Sequence, residues 1–230
     1  MKKLLITIDG PAGAGKTTVS RELAVRLGYT YIDTGALYRA VAHEAQAKGI
    51  SANDGEGLEK LCNGLEMMFV RTEKGLRLIC NQVDITDRIR TPEITMLASE
   101  VSARYVVRKY LLGLQRDMGK AKGAVFEGRD MGTVVFPEAD VKFFLYASTK
   151  TRAQRRYNEL PTTASSTLEE VEKDIKRRDN NDRTRDVAPL KPADDAIRID
   201  STDMPIQEVV DRMISHIQHC CTDLNNNYSQ

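Results

Sequence analysis

Residues 4–18 read LLITIDGPAGAGKTT. A short apolar run, Leu4 to Ile8, stops at Asp9. Gly10, four further residues, Gly15, Lys16 and Thr17 then complete the pattern GxxxxGK[ST] of a phosphate-binding loop. Each position answers a physical need. Gly10, Gly13 and Gly15 let the backbone wrap closely and take up positive φ where required. Successive N–H groups then point at one anion, reinforced by the positive end of the following helix. The segment Gly10, Pro11, Ala12, Gly13, Ala14, Gly15, Lys16, Thr17 and Thr18 is therefore the expected triphosphate cradle. Lys16 reaches the β- and γ-phosphates, and the Thr17 hydroxyl ligates Mg²⁺. The context fits: a strand-like run precedes the loop, and TTVSRELAVRL follows it with Val19, Leu23 and Leu27 at helical spacing.

Composition sets bounds. A chain of 230 residues suits one or two domains with a sizeable core. A formal net charge of +1 gives no general attraction to nucleic acid or to a membrane surface. No apolar run approaches the ~18 residues that a membrane span needs. The N-terminal MKKLL resembles the start of a signal peptide, but Asp9 and the glycines cut the apolar run too short. Cys62, Cys80, Cys220 and Cys221 show no paired metal-ligand spacing, so free thiols in a reducing cytoplasm are expected.

Five apolar runs read as strands: Leu4–Ile8, Tyr29–Ile32, Ala124–Phe126, Val141–Tyr146 and Ala196–Ile199. Helical patterns lie at about 16–27, 35–48, 92–119, 150–159 and 168–179, with a last helix carrying Ile206, Val209, Val210, Met213, Ile214 and Ile217 on one face. Alternation of this kind predicts an α/β fold: three layers, α/β/α, around a five-stranded parallel sheet. Ligands of such sheets bind outside the carboxyl ends of the strands, where the loop, Asp33, Asp130 and Asp200 fall. Residues 60–90 depart from the pattern, with Leu65–Val70 and Leu76–Cys80 flanking RTEKG as a β-hairpin. The polar stretch 156–190 reads as a lid with short helices. Thr222 to Gln230, rich in Asn, reads as a frayed tail.

The loop alone says only that a nucleoside triphosphate binds. The N-K-x-D base-reading motif of Ras-type GTPases is absent, and Val141–Tyr146 ends in Ala147, Ser148 and Thr149 rather than the paired acids of ATPase motors. Arginines instead cluster where loops leave the sheet: DTGALYR at 33–39, EGRDMGT at 127–133 and KRRDNNDRTRD at 176–186. A mixed-charge run taken singly is a solvated helix face, and a single Arg–Asp pair is a surface ion pair. Three such runs on a phosphate-loop scaffold suit the gathering of two phosphorylated substrates, because phosphoryl transfer works by positioning and charge neutralisation. An acceptor that is itself a phosphate is an ionised nucleophile and needs no base. His43, His216 and His219 sit in helical patterns as surface or packing residues. A hydroxyl acceptor, with Asp33 or Asp130 as base, and a nucleotide-gated switch remain open alternatives.

ITIDGPAGAGKTT, YIDTGALYR, EGRDMGTVVFP, RRDNNDRTRDVAPL and IRIDST resemble, in the same order, the motifs of bacterial cytidylate kinases in the nucleoside monophosphate kinase family. The resemblance runs from Leu4 to about Ile217. It implies γ-phosphoryl transfer from ATP to CMP or dCMP with Mg²⁺. It also implies a CORE at 1–59, 91–154 and 187–221, a monophosphate-binding insertion at 60–90 and a LID at 155–186, which leaves 222–230 as the flexible tail. By the same resemblance, Thr34, Arg108 and Asp130 read the cytosine ring. Arg39, Arg129 and Arg185 hold the acceptor phosphate, while Ser99, Arg178 and Asp182 lie near the sugar hydroxyls. Arg155 or Arg156 contacts ATP, and Lys16, Arg129, Arg178 and Arg185 carry catalysis, with Thr17 the metal ligand. A cytoplasmic monomer is expected: the cysteines read as free thiols, and no extra apolar helix is left over. Two positions depart from the family: Thr34 stands where many relatives have Ser, and Glu127 where Asp is more usual.

Overall fold

A computed structural model of the protein describes residues 3–73, 75–160 and 166–226, with side chains as far as 220. In chain order the strands are β1 (Leu5–Asp9), β2 (Thr30–Asp33), β3 (Met67–Thr72), β4 (Gly75–Cys80), β5 (Val83–Asp84), β6 (Ala124–Gly128), β7 (Val141–Tyr146) and β8 (Ile197–Asp200). The helices are α1 (Lys16–Leu27), α2 (Thr34–Ala47), α3 (Gly55–Asn63), α4 (Pro92–Val101), α5 (Tyr105–Gly119), α6 (Thr149–Asn158), α7 (Leu168–Thr184) and α8 (Ile206–Asn226). Two compact units result. One comprises 1–32, 121–184 and 188–230, and the other 33–120 with 185–187.

The first unit is built on the five-stranded parallel sheet, in the order β2-β6-β1-β7-β8. All five residues of β1, LITID, are buried, as a central parallel strand covered on both faces requires. Register aligns the strand ends: Asp9 lies opposite Gly128 of β6 and Phe144 of β7. The phosphate-loop segment thus leaves the middle of the sheet, flanked by the ends of β6 and β7. Helix α1 closes on Gly28 at φ 67°, whose N–H bonds the carbonyls of Ala24 and Val25, the usual left-handed glycine stop. Val19, Leu23 and Ala24 of α1 share one apolar cluster with Ile6, Ile8, Phe143, Leu145 and with Val209, Val210, Met213 and Ile217 of α8. Helix α8 continues to Asn226, so residues 222–226 of the expected tail are helical, and 227–230 lie outside the described residues.

The second unit has its own core, drawn from Leu37, Ala40 and Val41 of α2, Leu58 and Leu61 of α3, Leu78 of β4, Ile94 of α4 and Leu111 of α5. The expected hairpin is present as β3 and β4, and β5 extends it to a three-stranded antiparallel sheet. Asn81 and Gln82, at φ 46° and 67°, make the tight β4–β5 connection, where left-handed backbone is required. Helix α3 was not visible as a pattern; Asp54 caps it by accepting from the Gly57 amide at 2.9 Å. The single helix expected over 92–119 divides into α4 and α5. Ser102 turns its hydroxyl onto the Ser99 carbonyl at 2.8 Å, and Arg104 is extended at φ −87°, ψ 126°. Helix α7 runs five residues beyond the expected 168–179, to Thr184, and takes in most of the third charged run.

Cys62 and Cys80, buried in the second unit, have thiols that burial pushes up to about 11, so neither is a thiolate at neutral pH. In the first unit Phe126 is fully buried, with its ring centroid 4.6 Å from that of Phe136. Phe126→Ala is expected to cost about 3–5 kcal/mol in urea unfolding at constant m-value, through lost transfer energy and the cavity left behind. A loss below ~1 kcal/mol would show that this end of the sheet repacks freely.

Candidate active site

The loop between β1 and α1 approaches the sheet so closely that its first glycine admits no side chain. A Cβ at Gly10, where φ is 148°, would stand 1.9 Å from the Leu145 carbonyl oxygen. Gly13 and Gly15 are left-handed at φ 75° and 86°. Two carbonyls of the loop are tied from outside. Arg152, only 2% exposed, donates through Nη1 to the Ala12 carbonyl at 3.0 Å. Ser201 donates through Oγ to the Ala14 carbonyl at 3.0 Å. Arg152 also binds both carboxylate oxygens of Asp179 in α7, at 3.1 and 2.6 Å, so one guanidinium ties the loop to both α6 and α7. Arg155, expected to contact ATP, donates to the Ser201 carbonyl at 2.6 Å and hydroxyl at 3.2 Å. It stands beside the loop as a brace.

Lys16 is 4% exposed, and its Nζ donates to the Pro11 carbonyl at 2.7 Å. Burial first, and then the neighbouring charge of Arg129, brings its pKa down to about 7; Arg178 adds to the repulsion, while Glu127 and Asp182 oppose it. Lys16, Arg129 and Arg178 thus share one electrostatic neighbourhood, as the sequence suggested, with Glu127 and Asp182 as counter-charges. Arg129 donates from Nε to Asp182 Oδ2 at 2.9 Å. Burial works against the Arg129 charge, but Asp182, Glu127 and Asp9 more than offset it and hold its pKa above the ordinary value.

Glu127 occupies the end of β6, 8% exposed. Thr17 donates its hydroxyl to Glu127 Oε1 at 3.0 Å, and Tyr31 donates its hydroxyl to Oε2 at 2.6 Å. The Arg21 guanidinium lies 5.4 Å from the Tyr31 ring centroid. Asp9 accepts from the amides of Met131 at 2.9 Å and Gly132 at 2.8 Å. Burial, partly relieved by those two bonds, raises the Asp9 carboxyl to about 7.

Of the expected acceptor-site residues, Arg129, Asp130, Arg178 and Asp182 belong to this unit, and Thr34, Arg39, Ser99, Arg108 and Arg185 to the other. In the second unit Thr34 is buried at the start of α2. Arg39 pairs with Asp33 at 2.6 Å, and its buried Nε has no hydrogen-bond partner among the described residues. Arg108, 7% exposed, donates to the Ser102 carbonyl at 3.0 Å and lies 5.5 Å from the Tyr38 ring centroid. Ser99 lies in α4. Arg152, Asp179, Tyr31 and Asp9 were missed as site residues. They act on backbone groups or other side chains of the site, and no motif spacing marks such roles.

A phosphate loop on the central strand of a five-stranded parallel sheet, with a buried lysine and arginines at the strand ends, defines the phosphate-loop kinase class. The fold is that of a gluconokinase from Sinorhizobium meliloti 1021, at TM-score 0.51 and 14% identity, covering 98% of this chain and 97% of that one. The cytidylate kinase family model matches residues 6–219. The chain is 51% identical over 211 residues to the cytidylate kinase of Geobacter sp. (strain M21), covering 91% of each protein. It is 51% identical over 216 residues to that of Geobacter sulfurreducens, covering 94% of this chain and 93% of the relative. The chain belongs to the cytidylate kinase family and is a phosphotransferase.

The depressed Lys16 predicts a proton balance. Burial and Arg129 hold the folded Lys16 well below the ordinary lysine range, and a polyanion in the loop raises its pKa. Binding of ATP is then expected to take up a fraction of a proton, read by titration calorimetry in buffers of differing ionisation enthalpy. Lys16→Met should abolish the uptake. The two shifted groups also give the stability curve a definite sign. Between pH 3.8 and about 7 the folded state holds the Asp9 proton more tightly than the unfolded chain, so this contribution falls as pH rises. Between about 7 and 10.5 the unfolded chain binds the lysine proton more tightly, so the Lys16 contribution rises with pH.

Proposed function

We propose that the chain transfers the γ-phosphoryl group of ATP to CMP and dCMP, giving CDP and dCDP by in-line displacement with Mg²⁺. The observation that carries this reading is the gathering of the part-buried Arg129 and Arg178 around the buried Lys16, with Glu127 and Asp182 as counter-charges. Such a cluster suits anionic phosphates on both sides of a transfer. An anionic acceptor oxygen attacks without a base, so the work left to the protein is alignment and charge stabilisation. Lys16 and Arg129 stabilise charge on the transferred group, joined by Arg178 and Arg185.

The Thr17 hydroxyl, held 3.0 Å from the Glu127 carboxylate, supplies hard oxygen donors that fit Mg²⁺. Thr17 would ligate the ion and Glu127 orient that hydroxyl. When bound, Mg²⁺ neutralises charge on the β- and γ-phosphates.

On the acceptor side we assign Thr34, Arg108 and Asp130 to the cytosine ring. A carboxylate accepts from the exocyclic amine of cytosine, which uracil lacks, and leaving such a group unpaired is costly. Arg39, Arg129 and Arg185 are assigned to the acceptor phosphate, and Ser99, Arg178 and Asp182 to the sugar. Residues 60–90 serve as the monophosphate-binding insertion and 155–186 as a lid that excludes water during transfer; 161–165 lie outside the described residues. The enzyme works as a cytoplasmic monomer.

A coupled assay with ATP, Mg²⁺ and a panel of nucleoside monophosphates tests the reading. CMP and dCMP should be turned over fastest, and brisk use of AMP or GMP with inert CMP would refute it. Lys16→Ala and Arg129→Ala should each lower kcat by roughly 10²-fold or more, as for other preorganised charge stabilisers. A fall of under threefold would remove the residue from the mechanism.

A further inference from the structure

The turn after β6 is capped by a carboxylate that belongs to a different strand. Met131–Val135 form a short π-helical turn, preceded by Asp130 at φ −142°, ψ 22°. A residue at such a position ordinarily turns its own side chain onto the first amides of the turn. Two aspartates of this chain do so: Asp33 accepts from the Ala36 amide at 3.2 Å and Asp54 from the Gly57 amide at 2.9 Å. Asp130 makes no capping bond of this kind. Asp9, at the end of β1, accepts from Met131 N with one carboxylate oxygen and from Gly132 N with the other, at 2.9 and 2.8 Å.

This cap fixes more than the turn. The Met131 N–H lies in the same peptide plane as the Asp130 carbonyl, so anchoring it sets the rotation about the Asp130 Cα–C bond. The turn is also pressed on the sheet. A Cβ at Gly132 would lie 3.1 Å from Thr7 Oγ1 and 3.2 Å from Lys142 Cδ, so the absence of a side chain lets that amide reach Asp9. Asp9 itself is 4% exposed. Its bonds go to the segment carrying Arg129 and Asp130, whereas Lys16 of the loop bonds the Pro11 carbonyl.

We infer that Asp9 is a positioning residue for the acceptor nucleotide: by capping the amides of Met131 and Gly132 from β1, it holds Asp130 and Arg129 in the orientation that reads a cytidine monophosphate. The inference rests on CMP being the acceptor. It separates the two substrates. The loop that begins one residue after Asp9 belongs to ATP, yet the carboxylate serves the acceptor.

Asp9→Asn keeps the size of the side chain but presents an amide NH2, itself a donor, to one of the two backbone donors. Steady-state kinetics with ATP, CMP and UMP, alongside a thermal melt, provide the test. The expected result is a CMP KM raised at least tenfold with the ATP KM within threefold, and a CMP-over-UMP ratio of kcat/KM reduced about tenfold. Should Asp9→Asn fail to fold, Asp9→Glu, which keeps the carboxylate but displaces it by one methylene, should show the same split. Equal rises in both KM values, a rise for ATP alone, or a lower Tm with unchanged KM values would each overturn the inference. Whether CMP is the acceptor at all is reported by the wild-type panel, so that failure is distinguishable from failure of the Asp9 variants.

Discussion

The constraint on which the site turns is the burial of positive charge. Lys16 is almost wholly removed from water, with Arg129 and Arg178 close enough to depress its pKa. In a medium of low dielectric, isolated cations of this kind are expensive, and the cost falls only where carboxylates or phosphates balance them. The chain supplies a partial balance from separate elements: Glu127 from the end of β6, Asp182 from α7 and Asp9 from the end of β1. Each also has a directed bond elsewhere, to Thr17 and Tyr31, to Arg129, and to the amides of Met131 and Gly132. The cluster is therefore positioned as well as partly balanced. What remains is a buried lysine of lowered pKa at the end of the glycine-rich loop, an arrangement that gains most when a polyanion enters.

Order in the loop comes from the same economy of groups. Arg152 satisfies the Ala12 and Ala147 carbonyls and the Asp179 carboxylate at once, while Ser201 satisfies Ala14 and is itself braced by Arg155. A buried guanidinium with five donors performs this better than an ammonium, because its donors are fixed in a plane. Since Asp179 lies in α7 and Ala12 in the loop, a displacement of α7 would strain bonds that shape the cradle. The two are mechanically linked within one unit.

The parallel sheet and the loop were legible because their signals are local and periodic. Leu4–Ile8 and Val141–Tyr146 are apolar runs of strand length, and GxxxxGK[ST] carries its own backbone requirement. Helix α3 was missed because its capping signal, Asp54 with Glu56 in the first turn, precedes only three buried positions, Leu58, Leu61 and Cys62. The division of 92–119 is not legible in the sequence because no Gly or Pro marks it at 102–104, and a serine hydroxyl bonding back to the chain leaves no periodic trace. Among candidate site residues, Lys16, Thr17 and Arg129 are marked by motif. Those acting on backbone are not: Asp9 reads as the polar end of a strand until register brings Gly128 opposite it.

Glu127 shows how a departure from a family pattern becomes intelligible once its partners are seen. By resemblance an aspartate is more usual there. The glutamate, one methylene longer, has one oxygen on the Thr17 hydroxyl and the other on the Tyr31 hydroxyl. Tyr31 is in turn covered by Arg21. Both carboxylate oxygens are thus engaged, each by a hydroxyl donor, so the rotamer of the side chain is fixed. A shorter acid would have to give up one of the two contacts or draw the strands inward. With β6 held to β1 in register from Ala124 to Gly128, the backbone has no freedom to do so. The identity of residue 127 is then tied to that of residue 31, and the hydroxyl of Thr17 is oriented by a pair of side chains rather than by one.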